Sequence, residues 1–429
     1  MSIRNNRRRI LTMAALATGV LAASNVVCGQ LPCSYEVTAI IQAPECPPFG
    51  FPPTIGAAIS EPIDGGLPNV VGYYQSCVIG PDKAFLWIGN EKKFITLDMP
   101  EGTQRSWAFG ISADGTQIVG TAEIGGLGSR AFFIDGDDLI VIPPANGGTF
   151  SNAQAVSLGR VAGTTSVSDR PPFYSKAYLW QEGRMTIIEP TYGPKSAGRD
   201  VSESGDVVGW MGSSGSDWHG LLWDGAVVMD LGVIPNGFTS QAMAINNLLE
   251  PQVVGWGQLA NAKGDGDATH AFLWDSNEMM DLGTLPGFLR SFAFDINDCS
   301  TVVGSCRDFG GNINIQHAFV WREGIMTDLN DLIPPDTGLL IKRAVAINQA
   351  RHITAWGSSP TGTATFLLTP VGPPVGDLNG DCLVGATDLI MLLSAWGSCR
   401  DCDDCRADLD GNCVVGATDL LILLANWSS

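Results

Sequence analysis

The chain has 429 residues, with 44 acidic against 24 basic side chains and a formal net charge of −20. This acidity without a basic patch argues against nucleic-acid binding and suits a calcium-rich exterior. Beyond the first segment no apolar run is long enough for a membrane helix, so no transmembrane segment is expected.

The N-terminal segment has the three parts of a signal peptide. Arg7, Arg8 and Arg9 lie before an apolar stretch from Leu11 to Ala23, and small residues follow. The apolar stretch is too short to span a bilayer. We therefore expect residues 1–29 to be a signal peptide and the mature protein to be secreted or attached to the cell surface. The arginines also fit a loose twin-arginine pattern, which leaves the export route open.

Cysteine usage agrees with export. The eleven cysteines become ten once Cys28 leaves with the leader or is lipidated. An even number suits disulfides in an oxidising compartment. The large N-terminal region and the short C-terminal tail nevertheless have five each, so either one disulfide joins the two regions or each region keeps a free thiol. Cys402 and Cys405 have the spacing of half a zinc site or a redox pair, but disulfide bonding is the better interpretation.

A short aromatic strand recurs through most of the chain. Its second residue repeats every 43 to 51 positions. A Val-Val-Gly-like strand precedes each copy, and a small-residue strand precedes that. An Asp-Gly-type turn and a Met-Asp-Leu-Gly-like strand follow it. The copies are Ala84-Phe-Leu-Trp87, Ala131-Phe-Phe-Ile134, Ala177-Tyr-Leu-Trp180, Gly220-Leu-Leu-Trp223, Ala271-Phe-Leu-Trp274, Ala318-Phe-Val-Trp321 and Thr365-Phe-Leu-Leu368.

Four short strands per repeat are typical of a β-propeller blade. The fold class is therefore expected to be all-β, with a seven-bladed β-propeller of four-stranded blades over residues 33–368. The last repeat lacks its fourth strand, because residues 369–376 form a Pro/Gly linker. Residues 35–42 alternate in the manner of a strand, and we expect them to complete the seventh blade and close the ring.

Two repeat units, His270-Ala-Phe-Leu-Trp274 and His317-Ala-Phe-Val-Trp321, resemble the extracellular HAF-type repeat family. The resemblance implies architecture and extracellular location, and no shared activity. His219 occupies the same slot as His270 and His317, so we interpret all three as structural repeat residues.

The tail contains one unit twice, 31 residues apart, with thirteen of twenty aligned positions identical. Calcium binds six to eight oxygens, and a twelve-residue loop supplies them from positions 1, 3, 5, 7, 9 and 12. The pattern predicts two Ca²⁺ ions. The expected ligands are Asp377, Asn379, Asp381, the carbonyl of Leu383 and Asp388 in the first loop, and Asp408, Asp410, Asn412, the carbonyl of Val414 and Asp419 in the second.

Two loop positions depart from an ideal calcium loop. Position 9 is glycine in both copies, so a water molecule must supply the calcium ligand at that position. Position 6 is Cys382 in one copy and Cys413 in the other, where glycine is usual. A cysteine with positive φ costs roughly 1 kcal/mol, so binding is expected to be weaker than ideal.

Each loop leads into a helix but has no helix before it, since the first loop follows the Pro/Gly linker. Leu389, Leu392, Leu393 and Trp396 are predicted to form one apolar stripe. This duplicated loop–helix tail over residues 377–427 resembles the type I dockerin module, in a cysteine-bearing variant found in planctomycete-type secreted proteins.

The dockerin resemblance implies a docking surface at loop positions 10 and 11. These are Ala386 and Thr387 in the first copy and Ala417 and Thr418 in the second. Since both copies carry the same pair, a symmetric, two-way docking mode is conceivable. The implied partner is a cohesin-like or other surface protein.

No catalytic motif is recognisable, and the chain is interpreted as a non-catalytic binding protein. Trp107, Trp210, Trp218 and Trp256 lie outside the repeat register, and some could form a sugar-stacking platform. The alternative function is therefore a carbohydrate-binding or glycoside-hydrolysing part of an extracellular polysaccharide-degrading assembly. The propeller's ligand, a glycan or a protein, stays open.

Overall fold

The computed structural model describes residues 32–43, 53–76, 80–168, 174–213, 217–259, 268–310, 313–335, 337–379, 384–400, 402 and 405–427. The predicted signal peptide and the expected ligands Asp381 and Leu383 lie outside these residues. Within them, no helix is long and apolar enough to cross a membrane.

Short strands make up most of the described chain, in the order expected from the repeats. They are β1 Ser34–Ile41; β2 Thr54–Pro62, β3 Pro68–Gln75, β4 Asp82–Ile88, β5 Lys93–Thr96; β6 Thr103–Ile111, β7 Gln117–Ile124, β8 Gly128–Asp135, β9 Asp138–Ile142; β10 Ser151–Ser157, β11 Arg160–Ser166, β12 Ser175–Gln181, β13 Arg184–Ile188; β14 Lys195–Val201, β15 Val207–Gly212, β16 His219–Trp223, β17 Val228–Asp230; β18 Gly237–Ile245, β19 Val253–Leu259, β20 Ala268–Asp275, β21 Glu278–Asp281; β22 Arg290–Ile296, β23 Val302–Gly310, β24 Ile313–Arg322, β25 Ile325–Asp328; and β26 Leu340–Ile347, β27 Ile353–Ser359, β28 Gly362–Val371.

These strands form antiparallel four-stranded meanders that follow one another along the chain. β2–β5, β6–β9, β10–β13 and β14–β17 are separate sheets. β18–β25 is one eight-stranded sheet, in which a single parallel bridge between Thr269 and Arg290 joins two meanders. The last sheet has the order β1-β28-β27-β26, so the N-terminal strand is its outer member.

The meanders close into a ring. The first strands β2, β6, β10, β14, β18, β22 and β26 each contact the next, and β26 contacts β2. They therefore surround a central axis, and the other strands lie progressively outward. This arrangement is the architecture of a β-propeller.

The second residue of the repeated strand, aromatic in six copies and Leu221 in the fourth, fills the space between neighbouring sheets. Its side chain is completely buried in every repeat. In β7 a glycine, Gly120, lies opposite Phe132 on the neighbouring strand. A larger residue would not fit there, because a Cβ on Gly120 would lie 1.9 Å from the Trp107 carbonyl oxygen and 2.7 Å from the Phe132 ring. The Val-Val-Gly pattern thus follows from the packing of the ring. The fully buried residues are Phe85, Phe132, Tyr178, Leu221, Phe272, Phe319 and Phe366.

The repeat tryptophans mostly belong to the same core, as the sequence predicted. Trp87, Trp180, Trp274 and Trp321 are buried, while Trp223 is half-buried.

The repeat histidines have a structural partner in the following strand. Nδ1 of His270 donates to Asp281 at 2.9 Å, and His219 and His317 contact Asp230 and Asp328 in the same way.

Side chains at one end of the first strands join consecutive meanders. Nδ2 of Asn246 donates to the carbonyl of Asn297 at 3.4 Å, and Nδ2 of Asn297 donates to that of Asn348 at 3.1 Å. Nδ2 of Asn348 then donates to the carbonyl of Ser60 at 2.8 Å, which crosses from the last meander to the first. The repeated Ile-Asn pair therefore forms part of the ring closure.

Two half-buried carboxylates lie at the same end, directly after a bulge in β14 and β22. Asp200 accepts from the amides of Ile245 and Val201, at 3.0 and 2.8 Å. Burial raises the pKa of Asp200 to about 6. Burial, with the nearby Asp200 charge, raises the pKa of Asp295 to about 8.

The tail has two short helices, α1 Ala386–Ser394 and α2 Ala417–Ala425, and a two-stranded ladder of β29 Gly397–Ser398 and β30 Val414–Val415. Its core is small and separate from those of the ring. The buried members are Leu378, Val384, Leu392, Ala407, Val415 and Leu423.

The stability that these two carboxylates contribute should fall as pH rises through their titration. An unfolded aspartate titrates near 3.8, whereas Asp295 in the fold titrates near 8. Between these values the folded state holds more protons, so the free energy of unfolding decreases with pH. Urea unfolding from pH 4 to pH 8 measures this slope. Asp295→Asn should flatten it, while the exposed Asp331→Asn should leave it unchanged. An Asp295→Asn variant with the same slope as the unaltered protein would contradict the assignment.

Candidate calcium and docking site

The second tail loop gathers three of its predicted calcium ligands. Carboxylate oxygens of Asp408, Asp410 and Asp419 all lie within 4.8 Å of one another. Two oxygens on opposite sides of a calcium ion, each at about 2.4 Å, would be about 4.8 Å apart. The cluster therefore has dimensions that fit one such ion.

The loop backbone wraps around Asp408. One carboxylate oxygen accepts from the amides of Gly411 and Asn412 at 3.0 and 3.1 Å, and the other accepts from Cys413 at 2.7 Å. Cys413 has a φ of 68°, so position 6 adopts the left-handed conformation that the loop pattern required. The tight turn brings the carboxylates of positions 1 and 3 close to the carboxylate of position 12.

The predicted ligand at position 5, Asn412, contacts the cluster through its side-chain nitrogen, while its oxygen is hydrogen-bonded elsewhere. The Asn412 amide nitrogen donates to Asp410 at 2.8 Å, and its oxygen accepts from the amide of Val414 at 2.9 Å. Both residues are exposed. Asn412 and the Val414 carbonyl thus remain predicted ligands.

The carboxylate at loop position 12 has a second role as a helix cap. Asp419 accepts from the amides of Leu409, Asp410 and Gly416 at 2.6, 3.1 and 2.7 Å. Burial raises its pKa, but the three backbone hydrogen bonds outweigh burial and hold the pKa below the usual value. Asp419 is therefore a buried anion before any metal binds.

The first loop repeats this arrangement where it is described. Asp388 accepts from Leu378, Asn379 and Gly385 at 2.8, 3.0 and 2.8 Å. Asp377 and Asn379 are half-buried at the start of the loop. The structure therefore aligns the two loops around equivalent position-12 carboxylates.

Disulfides hold the tail together. Cys399 pairs with Cys405 and Cys402 with Cys413, so Cys402 and Cys405 are oxidised but not to each other. Cys33 and Cys299 are also disulfide-bonded. Cys306 is a buried free thiol, and burial raises its pKa to about 12. These disulfides indicate an oxidising compartment.

The predicted partner-binding residues are all on the surface. Ala386 and Thr387 begin α1, Ala417 and Thr418 begin α2, and all four are exposed. Each helix continues this face with exposed apolar side chains. The matching exposed pairs are Ile390 with Leu421, Leu393 with Leu424, and Trp396 with Trp427.

The tail core covers only part of the predicted apolar stripe on the first helix. Leu392 is buried and Leu389 is partly buried against the tail core. Leu393 and Trp396 are each 50% exposed. The tail core is too small to cover the whole apolar surface of the helix, so one face remains in solvent.

The tryptophans outside the repeat register occupy defined places around the ring. Trp210 and Trp256 follow the glycine of the second strand in their meanders, and Thr121 is the equivalent residue in β7. Trp210 packs edge-on against Trp218, with ring centroids 4.3 Å apart. Trp107 lies on β6, directly across the ladder from Thr121. Sequence reasoning missed this common position, which can be found by aligning the second strands.

No protein-family model matches the chain, and no curated protein matches it. Solved structures resemble it at low identity. TolB from Acinetobacter baumannii has 15% identity and a TM-score of 0.37, with 54% of each chain covered, so this chain spans about half of TolB's length. An oligogalacturonate lyase in complex with manganese has 12% identity and a TM-score of 0.46, with 77% of this chain and 96% of that chain covered. The six-bladed β-propeller lectin of Aleuria aurantia has 11% identity and a TM-score of 0.37, with 76% and 99% covered.

The capping and metal-binding roles of the tail carboxylates can be separated in calcium-free protein. Asp419→Ala should leave three backbone amides without an acceptor, at about 1–3 kcal/mol for each group that stays buried, and should therefore unfold the tail. Asp410→Ala removes the same charge from an exposed position and should keep the tail folded. Hydrogen exchange of residues 405–427 measures the difference. Equal protection in both variants would contradict the capping role.

Proposed function

We propose that this protein is an exported, non-catalytic binding protein in two functional parts. A seven-bladed propeller, counting the eight-stranded sheet as two blades, carries the ligand-binding surface. A dockerin-like tail binds two calcium ions and attaches the propeller to a partner outside the cell.

The observation that carries the proposal is the Asp408, Asp410 and Asp419 cluster beside an exposed Ala-Thr pair. Oxygen donors at this spacing are the ligands that calcium prefers. A metal there would bring three carboxylates together without repulsion, which stabilises the loop and the start of α2. Calcium would thereby order the surface that presents Ala417 and Thr418.

The small size of the tail supports a role for the metal in stability. A unit of about fifty residues buries too little apolar surface for high stability and usually needs disulfides or metals. Here two disulfides are present beside the acidic loop. The disulfides also support export, as the N-terminal segment predicts.

The exposed helix faces support attachment. Large apolar side chains exposed on both helices favour burial against another protein. Because α1 and α2 present matching residues, either helix could form the main contact with the same partner surface. This similarity is the basis for proposing two docking orientations.

Calcium uptake by the full-length mature chain tests the metal sites. Titration calorimetry should show two ions per chain for the unaltered protein. Replacing Asp408 and Asp410 together by asparagine removes two anionic ligands from the second loop and should leave one ion. The exposed Asp137→Asn is the matched control and should still bind two. Absence of uptake by the unaltered protein would overturn the calcium proposal.

Two-way docking predicts a particular pattern of binding loss. Thr387→Arg places a long cation on one helix face and Thr418→Arg places it on the other. Each single variant should keep calcium-dependent capture of the same partner from the extracellular fraction, because the other helix remains intact. The double variant should lose at least about tenfold in affinity. Complete loss in one single variant would show that only one orientation is used.

A further inference from the structure

A groove on the ring has the lining of a ligand site. It has a volume of about 350 Å³ and lies between the β6–β9 and β10–β13 sheets. We call it the aromatic groove. Its lining residues are Trp107, Phe109, Thr121, Ser129, Phe150, Asn152 and Gln154.

The aromatic rings of the groove are held in place. Nε1 of Trp107 donates to a carboxylate oxygen of Asp82 at 3.0 Å, so the indole orientation is set by the neighbouring sheet. Phe109 lies at the bulge of β6 and meets Tyr73 edge-on at 6.4 Å. Both rings are only half-buried. A ligand with an apolar face would therefore meet a preorganised aromatic surface.

Two polar side chains of the groove have hydrogen-bond donors that are not used within the described part of the protein. Asn152 uses its oxygen to accept from the Thr164 amide at 3.0 Å. Gln154 uses its oxygen to contact Arg199 at 3.5 Å. In the described part of the chain, the side-chain nitrogens of Asn152 and Gln154 have no partner. Two amide groups therefore offer donors to a ligand.

Thr121 provides the second, independent observation. It is 6% exposed, and its hydroxyl has no hydrogen-bond partner among the described residues. An unsatisfied buried polar group costs about 1–3 kcal/mol. Since β-branched apolar residues would fit the same strand position, the hydroxyl disfavours the unliganded state. Thr121 lines the groove but its hydroxyl is enclosed, so a ligand hydroxyl satisfies it once the side chain rotates about χ1 and turns the oxygen towards the groove.

The composition of the lining selects the class of ligand. None of the lining side chains is charged, although the chain carries a net charge of −20. Rigid rings beside amide and hydroxyl groups suit a neutral molecule with apolar C–H faces and many hydroxyls. An apolar peptide side chain would leave the three polar groups unpaired, and a nucleotide phosphate would be repelled by the acidic protein.

We propose that the aromatic groove binds one ring of a neutral saccharide. Its C–H face stacks on Trp107, and its hydroxyls bond to Asn152, Gln154 and Thr121. This inference deepens the binding role proposed for the propeller and does not depend on the calcium tail.

Binding of defined neutral sugars to the full chain tests the proposal. The probes are cellotetraose, xylotetraose, mannotetraose and maltotetraose, with trigalacturonate as the charged comparison. Calorimetry and tryptophan fluorescence should detect binding of at least one neutral probe, both with calcium and in EDTA. Because binding is measured with calcium and in EDTA, a failure of the proposed calcium sites would not be mistaken for a failure of the sugar site. Binding of no neutral probe, or of trigalacturonate alone, would overturn the proposal.

Three variants locate the site. Trp107→Ala should weaken binding at least about tenfold. Thr121→Val keeps the shape but removes the unpaired hydroxyl, so it should weaken binding several-fold while leaving the Tm unchanged or higher. Trp210→Ala is the matched control, since it removes a half-buried ring outside the groove, and should keep affinity within about twofold. Equal losses in Trp107→Ala and Trp210→Ala would place the sugar elsewhere and contradict the assignment.

Discussion

The antiparallel pairing of β1 with β28 joins the two ends of the ring, and the packing of every other sheet depends on it. Without β1 the last sheet would have an unpaired edge, and two cores of the ring would lose the buried side chains of Tyr35 and Ile41. The hydrogen bond from Asn348 to the Ser60 carbonyl crosses the same junction near the central axis. Closure is therefore made twice, once at the outer edge and once at the inner strands.

A closed ring leaves its two ends available for different tasks. At one end the Ile-Asn pairs and the half-buried carboxylates Asp200 and Asp295 connect neighbouring meanders. Side chains earlier in the first strands, such as Trp107 and Asn152, line an accessible groove. The separation lets side chains vary at the groove while the hydrogen bonds of the other end hold the ring together.

The tail is stabilised in a different way from the ring. It has a core of a few aliphatic side chains, so disulfides and backbone hydrogen bonds to Asp388 and Asp419 provide much of its order. The same carboxylates lie at position 12 of the predicted calcium loops. A group that caps a helix and faces a metal site couples helix formation to metal binding, which is the physical basis of the proposed calcium dependence.

The sequence by itself determined the repeat, the strand order within it and the acidic spacing of the tail loops. These depend on local periodicity and turn chemistry, so Gly120 and Phe132 already indicate a strand pair, and Asp408 and Asp410 already indicate a metal loop. Only the tertiary structure decided which cysteines pair, because disulfide connectivity depends on distances across the fold. It also decided that Leu393 and Trp396 are half exposed, since the size of a core cannot be read from helical spacing. The aromatic groove belongs to this second class, because Trp107, Phe150 and Gln154 become neighbours only when two meanders pack around a common axis.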